Sequence, residues 1–257
     1  DDPFRQFDLY PIQSDVPRPL LVFVHGGAWR SEDKKDHAIL ASKLASATNC
    51  PVFVPNYRLT SKLPQTFHHP GHSEDLLQFL EFLLQWKPDI SGIASTLDPR
   101  SIYLIGHSCS AHMLTSIILD SDFITPSLKP SAQLLDAAKC VILSEGIYDL
   151  DLLVARFPNY RAWFIDEAFG TRASYSPFNV NQYRLRNPNT VASWQIIHST
   201  GDELIDPPQS EAMYSHLCQL YGERAKHLIS RNYDTLKDGH DDILRGDEYV
   251  ALVQSFL

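Results

Sequence analysis

The sequence lacks the features that mark nucleic-acid-binding and membrane proteins. It has no run of basic residues, and 31 acidic side chains against 22 Lys and Arg give a formal charge of -9. Binding to phosphate backbones and anionic lipids depends on clustered cations, so this balance disfavours such partners. The longest apolar runs are also far shorter than a bilayer-spanning helix requires. We therefore expect no nucleic-acid partner and no membrane partner.

Cysteine is scarce as well. The four cysteines form no C-x-x-C pair, and the chain has no N-x-[ST] sequon. A chain of this size needs no disulfide framework, so both absences favour a reducing, cytoplasmic location. The first residue is Asp1 rather than Met, which leaves a removed leader open. No repeat or Gly/Ser linker interrupts the chain, and we expect one continuous domain over residues 1–257.

Short apolar runs alternate with longer amphipathic segments. The runs at 20–24, 51–57, 101–106, 140–146, 193–199 and 225–233 predict strands, and the segments at 37–47, 73–86, 110–119, 210–222 and 241–256 predict helices. Ser73 is expected to cap the second helix. This alternation predicts an α/β protein with a mostly parallel sheet and helices on both faces. Residues from about 150 to 189 break the rhythm and are rich in aromatics, so we expect a lid-like helical insertion over the sheet's carboxyl edge.

The segment GHSCS at 106–110 lies between a predicted strand and a predicted helix. This is the context of a nucleophile elbow, in which a serine stands on a tight turn at a strand's end. Gly106 is the small residue required before Ser108, whereas Ser110 replaces the glycine that usually ends the G-x-S-x-G motif. Because Ser110 is itself small, we interpret it as a tolerated variant and Ser108 as the nucleophile of a serine hydrolase.

The segment HGGAW at 25–29 follows the first strongly apolar strand. Two adjacent glycines at a strand's end leave backbone N–H groups exposed, as an oxyanion hole requires. Gly26 and Gly27 are therefore candidate oxyanion donors. The alternative is an ordinary Gly-Gly turn with Trp29 as a packing residue.

An acid and a histidine follow the serine in the order of an α/β-hydrolase triad. Asp202 lies in the turn after the fifth predicted strand, and Glu203 and Asp206 are its competitors. Asp202 is nearest the strand's end, whereas Asp206 precedes two prolines that indicate a helix start. His240 lies in a polar turn between the last predicted strand and the last predicted helix. We therefore predict a triad of Ser108, Asp202 and His240.

The other histidines are interpreted as structural or surface residues. His25 is expected to shape the oxyanion loop, while His216 falls in a predicted helix and His227 in a predicted strand. The segment HHPGH at 68–72 contains a cluster of histidines, but the acids beside it indicate a helix start rather than metal ligands. We therefore predict no metal site.

Several motifs together resemble a known family. HGGAW, NYRL at 56–59, GHSCSA and GHDD resemble the esterases and lipases that carry an HGG oxyanion loop. SEGIYDL at 144–150 and HSTGDELI at 198–205 further resemble the kynurenine formamidase family, especially its fungal form. The resemblance spans the chain from about Leu20 to His240. It implies an α/β-hydrolase fold and hydrolysis of N-formyl-L-kynurenine to L-kynurenine and formate in tryptophan degradation, without metal or organic cofactor. It also adds the N–H of Cys109 to the oxyanion hole.

The small-molecule substrate that this resemblance implies needs a pocket on its leaving-group side. Trp29, Tyr148 and the aromatics of the 157–164 segment are the candidate walls. Glu145 stands where many relatives have Ser, and we interpret it either as a site for the substrate's α-ammonium group or as a buried structural carboxylate.

Two other functions fit the same motifs. A general carboxylesterase for small acyl esters would use the same triad, and a non-catalytic receptor of the α/β-hydrolase fold would have lost one of its members. The oligomeric state is left open, with a homodimer as one option.

Overall fold

The computed structural model describes residues 2–60, 67–89, 92–189 and 191–257. Over these residues a seven-stranded sheet has the order β1-β3-β2-β4-β6-β8-β9, and β5 and β7 form a separate pair. The strands are β1 (Phe7–Tyr10), β2 (Arg18–Val24), β3 (Val52–Pro55), β4 (Leu97–His107), β5 (Leu119–Asp120), β6 (Ala138–Ser144), β7 (Arg184–Leu185), β8 (Ser193–Ile197) and β9 (Ile229–Asn232). All neighbours in the large sheet are parallel except β1 and β3.

Helices cover both faces of this sheet. They are α1 (Ala38–Thr48), α2 (Gly71–Gln85), α3 (Cys109–Ile118), α4 (Ala132–Ala137), α5 (Leu150–Arg156), α6 (Asp166–Phe169), α7 (Pro207–Tyr221), α8 (Ala225–Leu228) and α9 (Asp247–Phe256). Side chains alternate across a strand, so β2 contributes Leu20 and Val22 to the core under α2, α3 and α7, and Leu21 and Phe23 to the core under α1 and α9. The predicted α/β-hydrolase fold class is confirmed.

Two local predictions were wrong, and one strand was not predicted. β1 was not predicted; its short segment pairs antiparallel with β3, with Leu9 opposite Phe53 at the sheet edge. Helix α2 begins at Gly71, so Ser73 lies inside the helix, fully buried, and does not cap it. The segment predicted as the last strand starts with α8, and pairing with β8 begins only at Ile229, which lies opposite Trp194.

The last predicted helix is also divided. Residues Asp242–Arg245 form a 3-10 turn, and α9 begins after Gly246, whose backbone is extended. Residues 150–189 contain α5, a π-helical turn at Arg161–Ile165, α6, short 3-10 turns and β7. Whether this segment acts as a lid stays a prediction. In the part of the chain that the structure describes, no helix is both long and apolar enough to cross a bilayer.

The parallel strands bring their carboxyl ends to one edge of the sheet. The segments that leave β2, β4, β6 and β8 at this edge begin with His25, Ser108, Glu145 and His198. Residues far apart in sequence therefore meet there, as is usual for sites in open parallel sheets.

Candidate active site

Ser108 stands on a strained turn between β4 and α3. Its φ of 57° and ψ of -124° are uncommon for a residue with a side chain and persist only where surrounding contacts hold them. Its N–H donates to the carbonyl of Ser144 at 2.9 Å, and its own carbonyl accepts from the N–H of Ala111 at 3.1 Å. A Cβ atom at Gly106 would lie 3.0 Å from the nitrogen of Ala111. A larger residue there would therefore push β4 away from α3.

Ser110 is more than a small residue in this turn. Its Oγ lies 2.6 Å from the carbonyl oxygen of Val24 and accepts a hydrogen bond from the N–H of His107 at 2.7 Å. The hydroxyl thus connects the Ser108 turn to the end of β2, where the segment 25–29, here called the glycine loop, begins. The sequence predicts only a small side chain at this position, because these contacts depend on the packing of β2 against β4.

His240 is held by a buried carboxylate. Its Nδ1 lies 2.8 Å from Asp202 Oδ2, and the Asp202 side chain is fully buried. The other carboxylate oxygen, Oδ1, accepts from the N–H groups of Leu204 at 2.8 Å and Ile205 at 3.0 Å. Burial alone would raise the pKa of Asp202, but hydrogen bonds from His240 and Glu145 outweigh it and hold the pKa well below its usual range. Asp202 is therefore a fixed negative charge beside the imidazole.

Two further contacts position the loop that carries His240. The N–H of His240 donates to Glu203 Oε2 at 3.1 Å. His107, the variable residue of the elbow motif, is fully buried with its Nε2 3.3 Å from Asp241 Oδ1, and its ring lies 4.8 Å from the ring of His240. His107, Glu203 and Asp241 were not predicted to position the loop. Each is adjacent in sequence to a candidate triad residue, and its contacts form only in the folded chain.

The competing acid Asp206 serves another purpose. It precedes α7 at the N-cap position, as the two prolines after it indicate, and its Oδ2 accepts from the Nε of Arg156 at 2.7 Å. Its carboxylate thus joins α7 to α5.

The glycine loop after β2 approaches the elbow closely. A Cβ atom at Gly26 would lie 3.1 Å from the Cβ of Ser108, closer than ordinary van der Waals contact, so a side chain there would displace the nucleophile or the loop. Gly27 has a φ of +84°, and a Cβ there would lie 2.3 Å from the carbonyl oxygen of Ser31. Cys109 is the first residue of α3, so its N–H has no partner within the helix. Backbone N–H groups from both sides of the elbow are therefore close to Ser108.

Buried side chains support this loop from behind. The hydroxyl of Tyr57 lies 2.6 Å from the carbonyl of Gly26 and 3.1 Å from that of His25. The N–H of Trp29 donates to Cys109 Sγ at 3.3 Å, and burial raises the pKa of that thiol to about 12. Burial also lowers the pKa of His25 to about 4, so this histidine is neutral and structural.

Ser108 and His240 line one cavity of about 180 Å³. Its other walls come from the glycine loop, the turn after β6, the 150–189 segment and the loops after β8 and β9: Gly27, Ala28, Ser31, Glu32, Ile147, Tyr160, Trp163, Phe164, Leu204, Ile205 and Asp241. The wall is thus largely apolar, with two carboxylates at its rim.

Of the side chains predicted as substrate contacts, the aromatics Tyr160, Trp163 and Phe164 of the 157–164 segment line this cavity, whereas Trp29 and Tyr148 do not. Trp29 is fully buried against Phe164 and Phe169, because the loop turns through a φ of 59° at this residue and directs its ring into the core. Tyr148 is also fully buried, and its neighbour Ile147 reaches the cavity instead. These two predictions were wrong.

Glu145 does not line the cavity either. Its side chain is fully buried, and its Oε1 accepts from the N–H of Ser199 at 2.7 Å. The ammonium-binding interpretation was therefore wrong, and the buried-carboxylate interpretation agrees with the structure.

The histidine cluster at 68–72 packs away from the cavity. His72 Nε2 lies 2.7 Å from Thr60 Oγ1, His68 Nδ1 contacts the carbonyl of Glu167 at 2.8 Å, and the His69 ring packs at a tilt against the ring of Phe169.

Three groups of side chains bring possible metal-ligating atoms within 4.8 Å of one another among the described residues: His25 with Glu32 and His37, His107 with His240 and Asp241, and Glu145 with Asp202 and His240. Two of these groups include the candidate base, and each of the pairs His37–Glu32, His107–Asp241 and His240–Asp202 within the groups is hydrogen-bonded.

Comparisons with known proteins agree with this geometry. A family described as having the α/β-hydrolase fold matches residues 21–145. A kynurenine formamidase of Meyerozyma guilliermondii is 30% identical over 91% of this chain and 82% of its own length. A kynurenine formamidase of Eremothecium gossypii is 25% identical over 97% of both chains. The crystal structure of an inhibited esterase B from Lactobacillus rhamnosis superposes with a TM-score of 0.72 at 17% identity, covering 99% of this chain and 82% of that one.

The fold and the site therefore define a hydrolase of the α/β-hydrolase class, acting on a small molecule. Its sequence similarity is more specific than its fold, since the fungal relatives align over most of both chains. The chain belongs to the kynurenine formamidase family.

Proposed function

We propose that this protein hydrolyses N-formyl-L-kynurenine to L-kynurenine and formate, with Ser108 as nucleophile, His240 as base and Asp202 as the acid that orients it. The observation that carries the proposal is the shared cavity of Ser108 and His240 beneath the glycine loop, with Asp202 2.8 Å behind the imidazole. The names of the fungal relatives supply the substrate.

The first step of the reaction forms a tetrahedral intermediate on Ser108. His240 carries its proton on Nδ1, facing Asp202, so Nε2 takes the proton of Ser108 as the oxygen attacks the formyl carbon. The N–H groups of Gly26, Gly27 and Cys109 would hold the resulting oxyanion, each contributing roughly 3–4 kcal/mol to the transition state.

The second half releases the products. The protonated His240 gives its proton to the anilide nitrogen as the C–N bond breaks, so L-kynurenine leaves and the formyl group stays on Ser108 as an ester. Water, deprotonated by His240, then attacks the formyl ester, and His240 returns this proton to Ser108 Oγ as the ester bond breaks and formate leaves. A formyl group carries only hydrogen on its acyl side, so selectivity has to come from the leaving-group side of the cavity. The aromatic side chains of Tyr160, Trp163 and Phe164 offer an apolar wall for the kynurenine ring.

Glu32 is the carboxylate that we propose for the substrate's α-ammonium group. It lines the cavity, and its side chain is 23% exposed. Burial raises its pKa, but the hydrogen bond from His37 and the neighbouring imidazoles outweigh this and leave the pKa lowered, so the side chain is negative. Glu32→Gln should raise KM for N-formyl-L-kynurenine roughly tenfold, the scale of one charge-assisted hydrogen bond.

A neutral ester separates this role from support of the glycine loop. Because p-nitrophenyl acetate has no ammonium group, Glu32→Gln should leave its hydrolysis nearly unchanged. Equal losses on both substrates would instead assign Glu32 to the loop. The matched control is Glu211→Gln, because Glu211 lies on α7 in an exposed ion pair with Arg231 of β9.

A general carboxylesterase for small acyl esters is the second candidate, favoured by the esterase structures that share the fold. The two functions use the same triad, so the test is a side-by-side comparison. We expect kcat/KM for formate release from N-formyl-L-kynurenine to exceed that for p-nitrophenyl acetate, and Ser108→Ala to abolish both. A preference for the ester would support the esterase, and full activity of Ser108→Ala would remove both proposals.

A further inference from the structure

Glu145 is held in an unusual conformation directly behind the triad. It follows β6 with a φ of 50°, a strained value for a residue with a side chain. Its N–H donates to the carbonyl of Ile197 at 3.1 Å, and its Oε1 accepts from the N–H of Ser199 at 2.7 Å. Both ends of the residue are therefore fixed against the end of β8, from which the Asp202 turn leaves.

The Glu145 carboxyl faces the carboxyl of Asp202. The two groups are within hydrogen-bonding reach of each other, and one oxygen of each lies within 4.8 Å of a ring nitrogen of His240. Both side chains are fully buried. Two ionised carboxylates at this separation, shielded from water, would repel each other strongly.

None of the described residues that face Glu145 offers a positive charge that would offset this repulsion. The titratable groups facing Glu145 are His198, Asp202, Glu203, His240, Tyr148 and Tyr249. His198 Nδ1 lies 3.3 Å from Glu145 Oε2 but also 3.0 Å from Ser210 Oγ. Burial lowers the pKa of His198, so this ring does not supply a charge. His240 already faces the charge of Asp202.

The hydrogen bonds distinguish the two oxygens of Glu145. Oε1 has a donor, whereas Oε2 accepts no hydrogen bond of good geometry from any described residue. A buried carboxylate oxygen without a donor is unfavourable, but a protonated oxygen needs only an acceptor. Asp202 is that acceptor.

We propose that Glu145 is a neutral carboxylic acid that donates its proton to Asp202 and thereby holds the carboxylate that orients His240. Glu145 touches no substrate, so it is a positioning residue. The inference rests on the roles proposed above for Asp202 and His240. Burial raises the pKa of Glu145 well above its usual range, and the hydrogen bond to Asp202 raises it further, in agreement with this assignment.

The contact limits both the motion and the charge of Asp202. Together with the N–H groups of Leu204 and Ile205, the Glu145 hydroxyl gives Asp202 a third donor besides His240. It also draws electron density from Asp202, so the imidazole faces a weaker negative charge than an isolated carboxylate would present.

Two substitutions distinguish a neutral Glu145 from an ionised one. Glu145→Gln is nearly isosteric, and its amide can accept from Ser199 and donate to Asp202. We expect its kcat/KM to stay within about threefold of the parent, with the acid limb of the pH profile unmoved. If Glu145 were ionised, this variant would lose a negative charge beside His240, and the acid limb would move by about half a pH unit or more toward acid pH, which would overturn the proposal.

Glu145→Leu removes the donor. We expect kcat to fall about tenfold or more, because Asp202 loses a charge-assisted hydrogen bond. The acid limb should move toward higher pH, because Asp202 then presents its full charge to His240. A Leu variant that matches the parent in both respects would contradict the proposal. If Glu145→Leu fails to fold, the pH profile of Glu145→Gln still tests the proposal.

Infrared spectroscopy gives a readout that does not depend on turnover. At neutral pH, the difference spectrum between parent and Glu145→Gln should contain the carbonyl band of a protonated carboxylic acid. An ionised-carboxylate band in its place would refute the inference whatever the activity. The proposed function fails separately, if Ser108→Ala still releases formate.

Discussion

A neutral Glu145 should make the stability of this protein depend on pH in a direction opposite to that of most carboxylates. In the unfolded chain Glu145 loses its proton near its ordinary pKa of 4.5, whereas burial and Asp202 keep the proton bound in the folded chain. Above that pH the unfolded state therefore binds fewer protons than the folded state. The free energy of unfolding falls as pH rises, until the folded state also releases the proton.

The size of this effect follows from proton linkage. One proton bound only in the folded state changes the free energy of unfolding by about 1.4 kcal/mol per pH unit. Between about pH 6 and about pH 8 the parent should lose roughly 2.7 kcal/mol through Glu145 alone. Glu145→Gln has no proton to lose and keeps both hydrogen bonds. Its stability relative to the parent should therefore rise by the same amount across this interval.

Urea unfolding of the parent and of Glu145→Gln at the two pH values measures this difference directly. Other titrating groups are common to both proteins and cancel in the comparison. Glu211→Gln, at the exposed pair with Arg231, is the control and should give the same difference at both pH values. A difference between Glu145→Gln and the parent that does not change with pH would show that folded Glu145 is ionised, and the reasoning would be refuted.

Three further predictions concern the triad and the elbow. Asp202→Asn should lower kcat by about 10⁴-fold, because the imidazole then loses its productive tautomer. Asp206→Asn should lower thermal stability and leave kcat within a few-fold; the reverse result would assign Asp206 as the triad acid. Ser110→Gly should keep kcat within a few-fold but lower the free energy of unfolding by about 1–3 kcal/mol, because the buried hydrogen bond from its hydroxyl to β2 is lost. A hundredfold loss of kcat would mean that this hydroxyl takes part in the reaction. Ser108→Ala combined with His240→Ala should be hardly slower than either single variant in steady-state assays, because triad members act as a unit; losses that multiply would argue against a shared proton relay.

The sequence alone was sufficient to predict the fold class and the strand ends at which the candidate triad residues lie. Buried parallel strands are short apolar runs, and their carboxyl ends must meet at one edge, so the order of motifs along the chain predicts which segments converge. Asp202 was distinguished from Asp206 by local rules as well, since the prolines after Asp206 mark the start of α7.

Side-chain direction at the strand ends was decided only by the tertiary structure. Trp29 and Glu145 both have positive φ values, so the alternation of faces that holds within a strand cannot be extended to them. Trp29 therefore turns into the core, and Glu145 turns behind the triad instead of into the cavity. The prediction that Tyr148 lines the cavity failed for a related reason, because the irregular turn after β6 presents Ile147 to the cavity instead.

Contacts between distant segments were equally invisible in the sequence. Ser110 reads as a small residue until β2 places the carbonyl of Val24 beside its hydroxyl. Glu145 has the sequence of an ordinary acid, and only the folded chain places the end of β8 and the Asp202 carboxyl against it in a fully buried site. Local propensity determines which residues reach the sheet's edge. Burial and the identity of the facing group, which only the folded chain defines, determine the charge that Glu145 carries there.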